Sequence, residues 1–257
     1  MVTNQNPVGH RETGTGRSAV TWRRTAILWW SFALTGWTCL RVVMHALFAK
    51  TPRHNVDLEL RRWARRLFSV IDLKIDLKGD YEAQLRPGRP TIIMCNHSSL
   101  YDIPAVFHAL PGSIRMLAKK ELFRVPLLGA AMRAAEMISI DRQNKARALA
   151  DLRIARDKMQ DGIVLWIAPE GTRSRDGELL PFKKGGFHLA IETGAVIVPI
   201  VVVGLHKVMP AKSLRMNLGL AIEIRVGKAV DVSAYTAKDR VKLMQQVRSQ
   251  MLTLLES

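Results

Sequence analysis

From residue 70 onward, short apolar runs alternate with stretches of helical spacing, and nothing else in the chain restricts its fold as strongly. Apolar runs occupy 71–77, 91–95, 114–118, 137–140, 163–168, 196–203 and 220–226. Helical spacing marks 99–110, 121–134, 143–160 and 184–193 between them. Strands that alternate with helices predict an α/β domain, a single unit with a largely parallel or mixed sheet flanked by helices. In the first run Ile71, Leu73, Ile75 and Leu77 alternate with polar residues, as in a half-exposed strand. Pro199 lies in V-P-I-V-V-V-G, which places it at a strand start or edge, where its missing N–H costs nothing. Val241, Met244, Val247, Met251 and Leu254 recur at helical spacing and predict a packing helix over 237–256.

Ahead of this domain the chain changes character. Residues 1–20 are polar and Gly/Thr-rich and read as a disordered basic tail. Residues 21–69 read as a membrane-associated helical segment. Thr25 to Leu40 carry no charge, a run shorter than the roughly 20 residues a bilayer span needs. Arg41 interrupts the run, and V-V-M-H-A-L-F-A continues it. Trp22, Trp29, Trp30 and Trp37 lie in or beside it, and indole rings favour the membrane interface. Arginines flank both sides, so the pattern fits a single pass or a monotopic insertion through 25–49. Residues 55–70 then read as a basic amphipathic helix, suited either to an anionic lipid surface or to open solvent.

Charge narrows the partners. The formal net charge of the 257-residue chain is +17, which calls for an anionic partner: nucleic acid, a membrane surface or a phosphorylated substrate. Nucleic-acid binding needs aromatics interleaved with exposed basic residues. Here the tryptophans gather in the apolar segment instead, so an anionic membrane surface is expected and nucleic acid is not. Cys39 and Cys95 have neither metal-site nor disulfide-framework spacing, which suits a reducing compartment.

The candidate chemistry sits just after the expected strands, where open α/β sheets place their sites. N-H-S-S-L-Y-D (96–102) sets His97 five residues before Asp102. An imidazole can take a proton from a hydroxyl near neutral pH, and a carboxylate can hold it in the productive tautomer. With a helix opening at Ser98 or Ser99, Asp102 falls in its first turn. The same residues would also serve as a simple helix cap. A-P-E-G-T-R-S-R (168–175) leaves a strand through a turn at Gly171 and presents Arg173, a planar donor fork suited to phosphate. By itself the string reads equally as a surface turn with a Glu170–Arg173 pair. I-S-I-D-R (138–142) ends in Arg142, and A-K-K-E-L (118–122) carries Lys119 and Lys120.

In this order, N-H-S-S-L-Y-D, A-K-K-E-L, I-S-I-D-R, P-E-G-T-R and V-P-I resemble the motifs of the 1-acyl-glycerol-3-phosphate acyltransferases of the bacterial membrane-associated type. The resemblance covers about residues 70–235 and makes 70–257 an acyltransferase domain. It implies that His97 and Asp102 are catalytic. It also implies that Arg142, Glu170, Gly171, Arg173 and Lys119 serve the substrate phosphate, with Lys120 a close competitor to Lys119. The chain departs from the family at Glu136, where glycine is usual, and at Ala168, where phenylalanine is common. The first departure is expected to alter a turn near the substrate, the second the acyl pocket.

The implied reaction moves a fatty acyl group from an acyl thioester to the sn-2 hydroxyl of 1-acyl-glycerol-3-phosphate, giving phosphatidic acid, on the cytoplasmic face of the cell membrane. Acyl-CoA or acyl carrier protein is the expected co-substrate, with no other cofactor and no metal. Other lyso-lipids or glycerol-3-phosphate are alternative acceptors, and a non-catalytic lipid-binding protein is a rival from another class. His97 would act as general base, Asp102 would orient it, and main-chain N–H groups near Ser98 would meet the oxyanion.

Overall fold

The computed structural model describes residues 15–49, 52–141, 145–211, 213 and 215–257, with side chains from residue 22 outside 50–52, 142–149, 212 and 214. Two helices lead, α1 (Thr15–Phe48) and α2 (Pro52–Ile71). α1 starts inside the stretch expected to be a disordered tail. Strands and helices then alternate: β1 (Lys74–Lys78), β2 (Thr91–Cys95), α3 (Asp102–Ala109), β3 (Ile114–Lys119), α4 (Leu128–Ala134), β4 (Ile138–Ile140), α5 (Lys145–Gln160) and β5 (Val164–Ile167). The chain closes with α6 (Gly185–Thr193), β6 (Val196–Val203), the short α7 (Leu205–Val208), β7 (Ala221–Val226), the two-residue β8 (Val230–Asp231) and α8 (Arg240–Glu256).

All eight strands join one sheet in the order β1-β7-β6-β2-β5-β3-β4, with β8 on β6. β6, β2, β5, β3 and β4 are mutually parallel, while β7 and β8 run antiparallel to β6. The sheet is therefore mixed with a parallel centre, as the alternation requires. One face is covered by α1, α2, α3 and α4 around Val42, Phe68, Phe107 and Trp166. The other is covered by α5, α6 and α8 around Leu152, Phe187, Leu243 and Val247. A parallel sheet buried on both faces explains why β2 and β6 read as unbroken apolar runs.

Four expectations shift at element ends. Ile71 and Leu73 do not belong to the first strand: α2 runs through Ile71 and buries it, and β1 starts at Lys74. The helix expected over 121–134 divides into a 3₁₀ turn (Lys120–Arg124) and α4, because Pro126 holds Val125 in the extended region. α3 opens at Asp102 rather than at Ser98 or Ser99. Pro199 is in mid-strand, on an inner strand. It survives there because β8 pairs with β6 only at 196–197 and β7 only from Ile200, so no partner asks for its N–H. Its carbonyl is met by the Gly227 N–H at 2.8 Å.

α1 and α2 form an antiparallel hairpin. Trp63 Nε1 donates to Thr35 Oγ1 at 3.1 Å, and Arg41 grips Glu59 through two hydrogen bonds of 2.7 and 2.8 Å. Arg62 adds a third bond to Glu59, which is itself buried. Bonding to Arg41 is the chief reason its carboxyl is held down to about 2. The charge that broke the apolar run in sequence is thus answered inside the hairpin. Trp22, Trp29, Trp30, Phe32, Trp37, Leu47 and Phe48 remain exposed on α1. Trp22–Phe48 is long and apolar enough to cross a bilayer, by length and composition.

Between the hairpin and the sheet lies an apolar cleft of about 90 Å³. Thr38 and Cys39 of α1, Trp63 of α2, Ile103 of α3, Met116 of β3 and Met137 help to wall it.

Candidate active site

His97 stands just past the carboxyl end of β2. The chain can leave the sheet there because Asn96 closes it: its amide donates to Val202 C=O (3.1 Å) and accepts from Val202 N–H (2.7 Å). His97 then turns back toward α3, and its Nδ1 lies 2.7 Å from Asp102 Oδ2. A carboxylate only accepts, so Nδ1 carries the proton and Nε2 keeps a lone pair for a hydroxyl proton. Asp102 is fully buried, whereas the His97 side chain keeps 19% of its exposure.

The same Oδ2 accepts from the Ser98 and Ser99 N–H groups at 2.7 and 2.9 Å. Asp102 thus ties down the turn before its helix and orients the imidazole, but it is the first residue of α3 and Ser99 is not the helix cap that the spacing suggested. This also corrects one expectation. The N–H groups near Ser98 are committed to Asp102, and the His97 N–H is committed to Glu170, so none of these three is open to an oxyanion.

Glu170 stitches the loop after β5 to itself and to the loop after β2. Its Oε1 accepts from His97 N–H (2.8 Å) and its Oε2 from Leu180 N–H (2.9 Å), while Ser174 N–H donates to the His97 carbonyl at 2.7 Å. Burial pushes the Glu170 carboxyl up, against the pull of those two N–H groups. The adjacent Gly171 has φ +69°, and a Cβ there would stand 2.9 Å from Lys183 Cε. The backbone angle favours glycine, and any side chain there would also have to displace the lysine stem packed on it.

The cations differ in availability. Arg173 is half-buried and has no hydrogen bond or ion pair among the described residues. Lys119 is exposed, 3.6 Å from Glu121. Lys120, its competitor, is held by Asp141 at 2.7 Å. Arg142 lies outside the described residues. Glu136 ends the loop into β4, at the edge of the sheet opposite His97. Its turn is therefore not near the site, contrary to expectation. Ala168 is half-buried against the core on the hairpin face.

Trp166 was not singled out from the sequence. Its ring meets His97 edge-on, centroids 6.0 Å apart at 84°, and it pairs in register with Met116 of the cleft wall. A tryptophan inside the strand that leads into A-P-E-G was the available clue.

A buried carboxylate holding a part-exposed imidazole, beside an arginine with no partner among the described residues, is an arrangement able to activate a hydroxyl next to an anionic group. Comparison with known proteins agrees on the class: residues 77–203 match the family model described as Acyltransferase. The chain is 32% identical over 222 residues to human "1-acyl-sn-glycerol-3-phosphate acyltransferase alpha", covering 85% of this chain and 77% of that protein. It is likewise 32% identical over 189 residues to the "1-acyl-sn-glycerol-3-phosphate acyltransferase" of Haemophilus influenzae, covering 73% and 76%. The fold matches the crystal structure of the 1-acyl-sn-glycerophosphate (LPA) acyltransferase of Thermotoga maritima, with a TM-score of 0.77, 22% identity and coverage of 92% and 96%. The chain belongs to the 1-acyl-sn-glycerol-3-phosphate acyltransferase family.

Proposed function

We propose that this protein transfers a fatty acyl group from an acyl thioester to the sn-2 hydroxyl of 1-acyl-sn-glycerol-3-phosphate, giving phosphatidic acid. The His97–Asp102 pair carries the reading. His97 Nε2 takes the hydroxyl proton as the oxygen attacks the thioester carbonyl. The tetrahedral intermediate then expels a thiolate, which takes the proton back from the imidazolium. Asp102 stabilises that imidazolium. A thiol of ordinary pKa near 8.5 leaves without a strong acid.

Arg173, Lys119 and Arg142 clamp the acceptor phosphate, and Gly171 lets the main chain approach it. The short bonds to two N–H groups make Glu170 a tie that holds the His97 main chain beside that clamp. The donor is acyl-CoA or acyl carrier protein, and its chain enters the apolar cleft reached past Trp166 and Met116. No other cofactor takes part. The exposed tryptophans of α1 seat the hairpin in the cytoplasmic face of an anionic membrane, monotopically or as a single pass, and the arginine face of α2 rests on the headgroups.

The test is a purified-protein assay with lysophosphatidic acid, glycerol-3-phosphate and other lyso-lipids, each with acyl-CoA and with acyl carrier protein, scored by product mass. Phosphatidic acid should dominate and His97→Ala should abolish it. Preference for another acceptor overturns the substrate assignment, and near-normal turnover of a folded His97→Ala protein overturns the mechanism.

A further inference from the structure

A cation on the face of the sheet away from the hairpin reaches the loop after β5. Arg248 belongs to α8, whose Leu243, Val247 and Met251 are fully buried against that face. Arg248 itself is half-buried, and its guanidinium forms a fork. Nη1 donates to the Leu180 carbonyl at 2.8 Å and Nη2 to the Leu179 carbonyl at 2.9 Å. The same group lies over the Phe182 ring, 5.4 Å from its centroid, and Phe182 stacks on Phe187 of α6. Among the described residues no carboxylate pairs with Arg248 directly. A planar fork spent on two successive carbonyls fixes a piece of backbone, which the single ammonium of a lysine does less well.

That piece of backbone has a particular connection. The Leu179 carbonyl and the Leu180 N–H are the two ends of one peptide unit. Its oxygen takes a hydrogen from Arg248, and its N–H gives one to Glu170 Oε2 at 2.9 Å. Glu170 Oε1 in turn holds the His97 N–H at 2.8 Å. A guanidinium, a peptide unit and a carboxylate thus form an unbroken chain from α8 to the main chain of His97. Hydrogen bonds in series polarise one another, so a cation on the peptide oxygen strengthens the N–H as a donor to the carboxylate. The Leu180 carbonyl, the other acceptor, belongs to a peptide bond with Pro181 that has no N–H of its own. A few residues on, the Lys183 N–H bonds the Pro169 carbonyl at 2.8 Å, so the two legs of the loop are tied beside Glu170 as well.

We infer that Arg248 is a positioning residue for acyl transfer: it fixes the Leu179–Leu180 peptide, through which Glu170 is set to hold the main chain of His97. This assignment deepens the acyl-transfer reading and rests on His97 as its base. Arg248 bonds neither His97 nor Asp102, so whatever it contributes to turnover passes through Glu170.

The test compares the full-length wild type with Arg248→Ala and Arg248→Lys, each alone and in a Glu170→Ala background. Kinetics with lysophosphatidic acid and an acyl-CoA are measured per mole of folded protein, and amide hydrogen exchange is followed in parallel. Arg248→Ala should lower kcat about tenfold or more, since a small misplacement of a catalytic group is enough for that. Both KM values should stay within about threefold. Arg248→Lys should recover part of the loss. In the Glu170→Ala background, Arg248→Ala should cost less than about twofold in kcat, because the tie is already cut. Exchange in Arg248→Ala should quicken in peptides spanning 95–99 as well as 176–184, and stay unchanged over 60–68 of the hairpin. Equal kcat losses in both backgrounds overturn the inference, as does faster exchange that stops short of 95–99. If Arg248→Ala does not fold, Arg248→Lys decides on the same two readouts. A wild type that transfers acyl groups to no acceptor overturns the functional reading instead, and exchange over 95–99 still decides whether Arg248 reaches His97.

Discussion

Glu170 holds His97 by its main chain, while Asp102 holds it by its ring. The two carboxylates come from the loop after β5 and from the first residue of α3, and they reach the same residue from opposite ends, at 2.8 and 2.7 Å. Each can be removed separately, and the losses should differ in kind.

Asp102→Asn keeps the side-chain shape but loses the charge that selects the Nδ1–H tautomer. We expect kcat to fall about 10³–10⁴-fold with little change in either KM. Stability should fall by about 1–3 kcal/mol, because the Ser98 and Ser99 N–H groups lose an anionic acceptor. Steady-state kinetics with a denaturant titration checks both. A fall in kcat below tenfold would remove Asp102 from the orienting role.

Glu170→Ala leaves two buried N–H donors unpaired and unpins the loop that carries Arg173. Activity should fall mainly in kcat, with partial recovery in Glu170→Gln, whose carbonyl can satisfy one of the two donors. A pure rise in KM for the phosphorylated acceptor would instead make Glu170 a phosphate-site group. The pH dependence has a definite sign. Burial raises this carboxyl in the folded protein, so its ionised form costs stability that is recovered as pH falls. Acid loss of activity above the ordinary carboxylate range, without loss of fold, would report Glu170 protonation.

Arg173→Ala should raise KM for lysophosphatidic acid about tenfold or more and leave the thioester KM nearly unchanged, since a charge-assisted phosphate contact contributes about 1.5–3 kcal/mol. Arg173→Lys should recover only part of it, because an ammonium lacks the fork. An unchanged acceptor KM in Arg173→Ala would take the residue out of the clamp.

The α1–α2 hairpin has its own acid limb. Glu59 is lowered from 4.5 to about 2, so its pairing stabilises the fold above pH 4.5 and that stability is lost as pH falls toward 2. Allowing for the exposed partners Arg41 and Arg62, the contribution is on the order of 2 kcal/mol. Thermal melts of Glu59→Gln should be lower than wild type at neutral pH and converge with it in acid. Parallel curves across that window would contradict the assignment.

Much of this architecture was legible because parallel strands buried on both faces have a plain signature. β2, β3, β5 and β6 stand where their apolar runs are, and Asp102 sits in the first turn expected of it. What escaped was long-range. The readiness of Glu59 to answer Arg41, and of Glu136 to answer Arg53, depends on helices meeting partners that lie far off in sequence. The open slot beside Pro199 depends on where β7 and β8 stop, which no local pattern encodes. Glu170 looked like half of a surface ion pair with Arg173, yet both its oxygens turn inward to main-chain N–H groups. Oriented donors are invisible in a string of residue types.

Asn96 serves the sheet rather than the chemistry of the residue that follows it. Its side chain behaves as a peptide group, giving a hydrogen to the Val202 carbonyl and taking one from the Val202 N–H, just beyond Ile200, the last residue of β6 paired with β2. The strand is in effect prolonged by one link made of side chain, so the real backbone can depart one step early while the sheet stays sealed. Only a carboxamide offers both polarities at that length. Aspartate would set an anionic oxygen against the Val202 carbonyl, and leucine would leave both Val202 groups dry and unmatched. The asparagine before the catalytic histidine is therefore a requirement of the sheet, which decides where the chain may turn and hence where the histidine can stand.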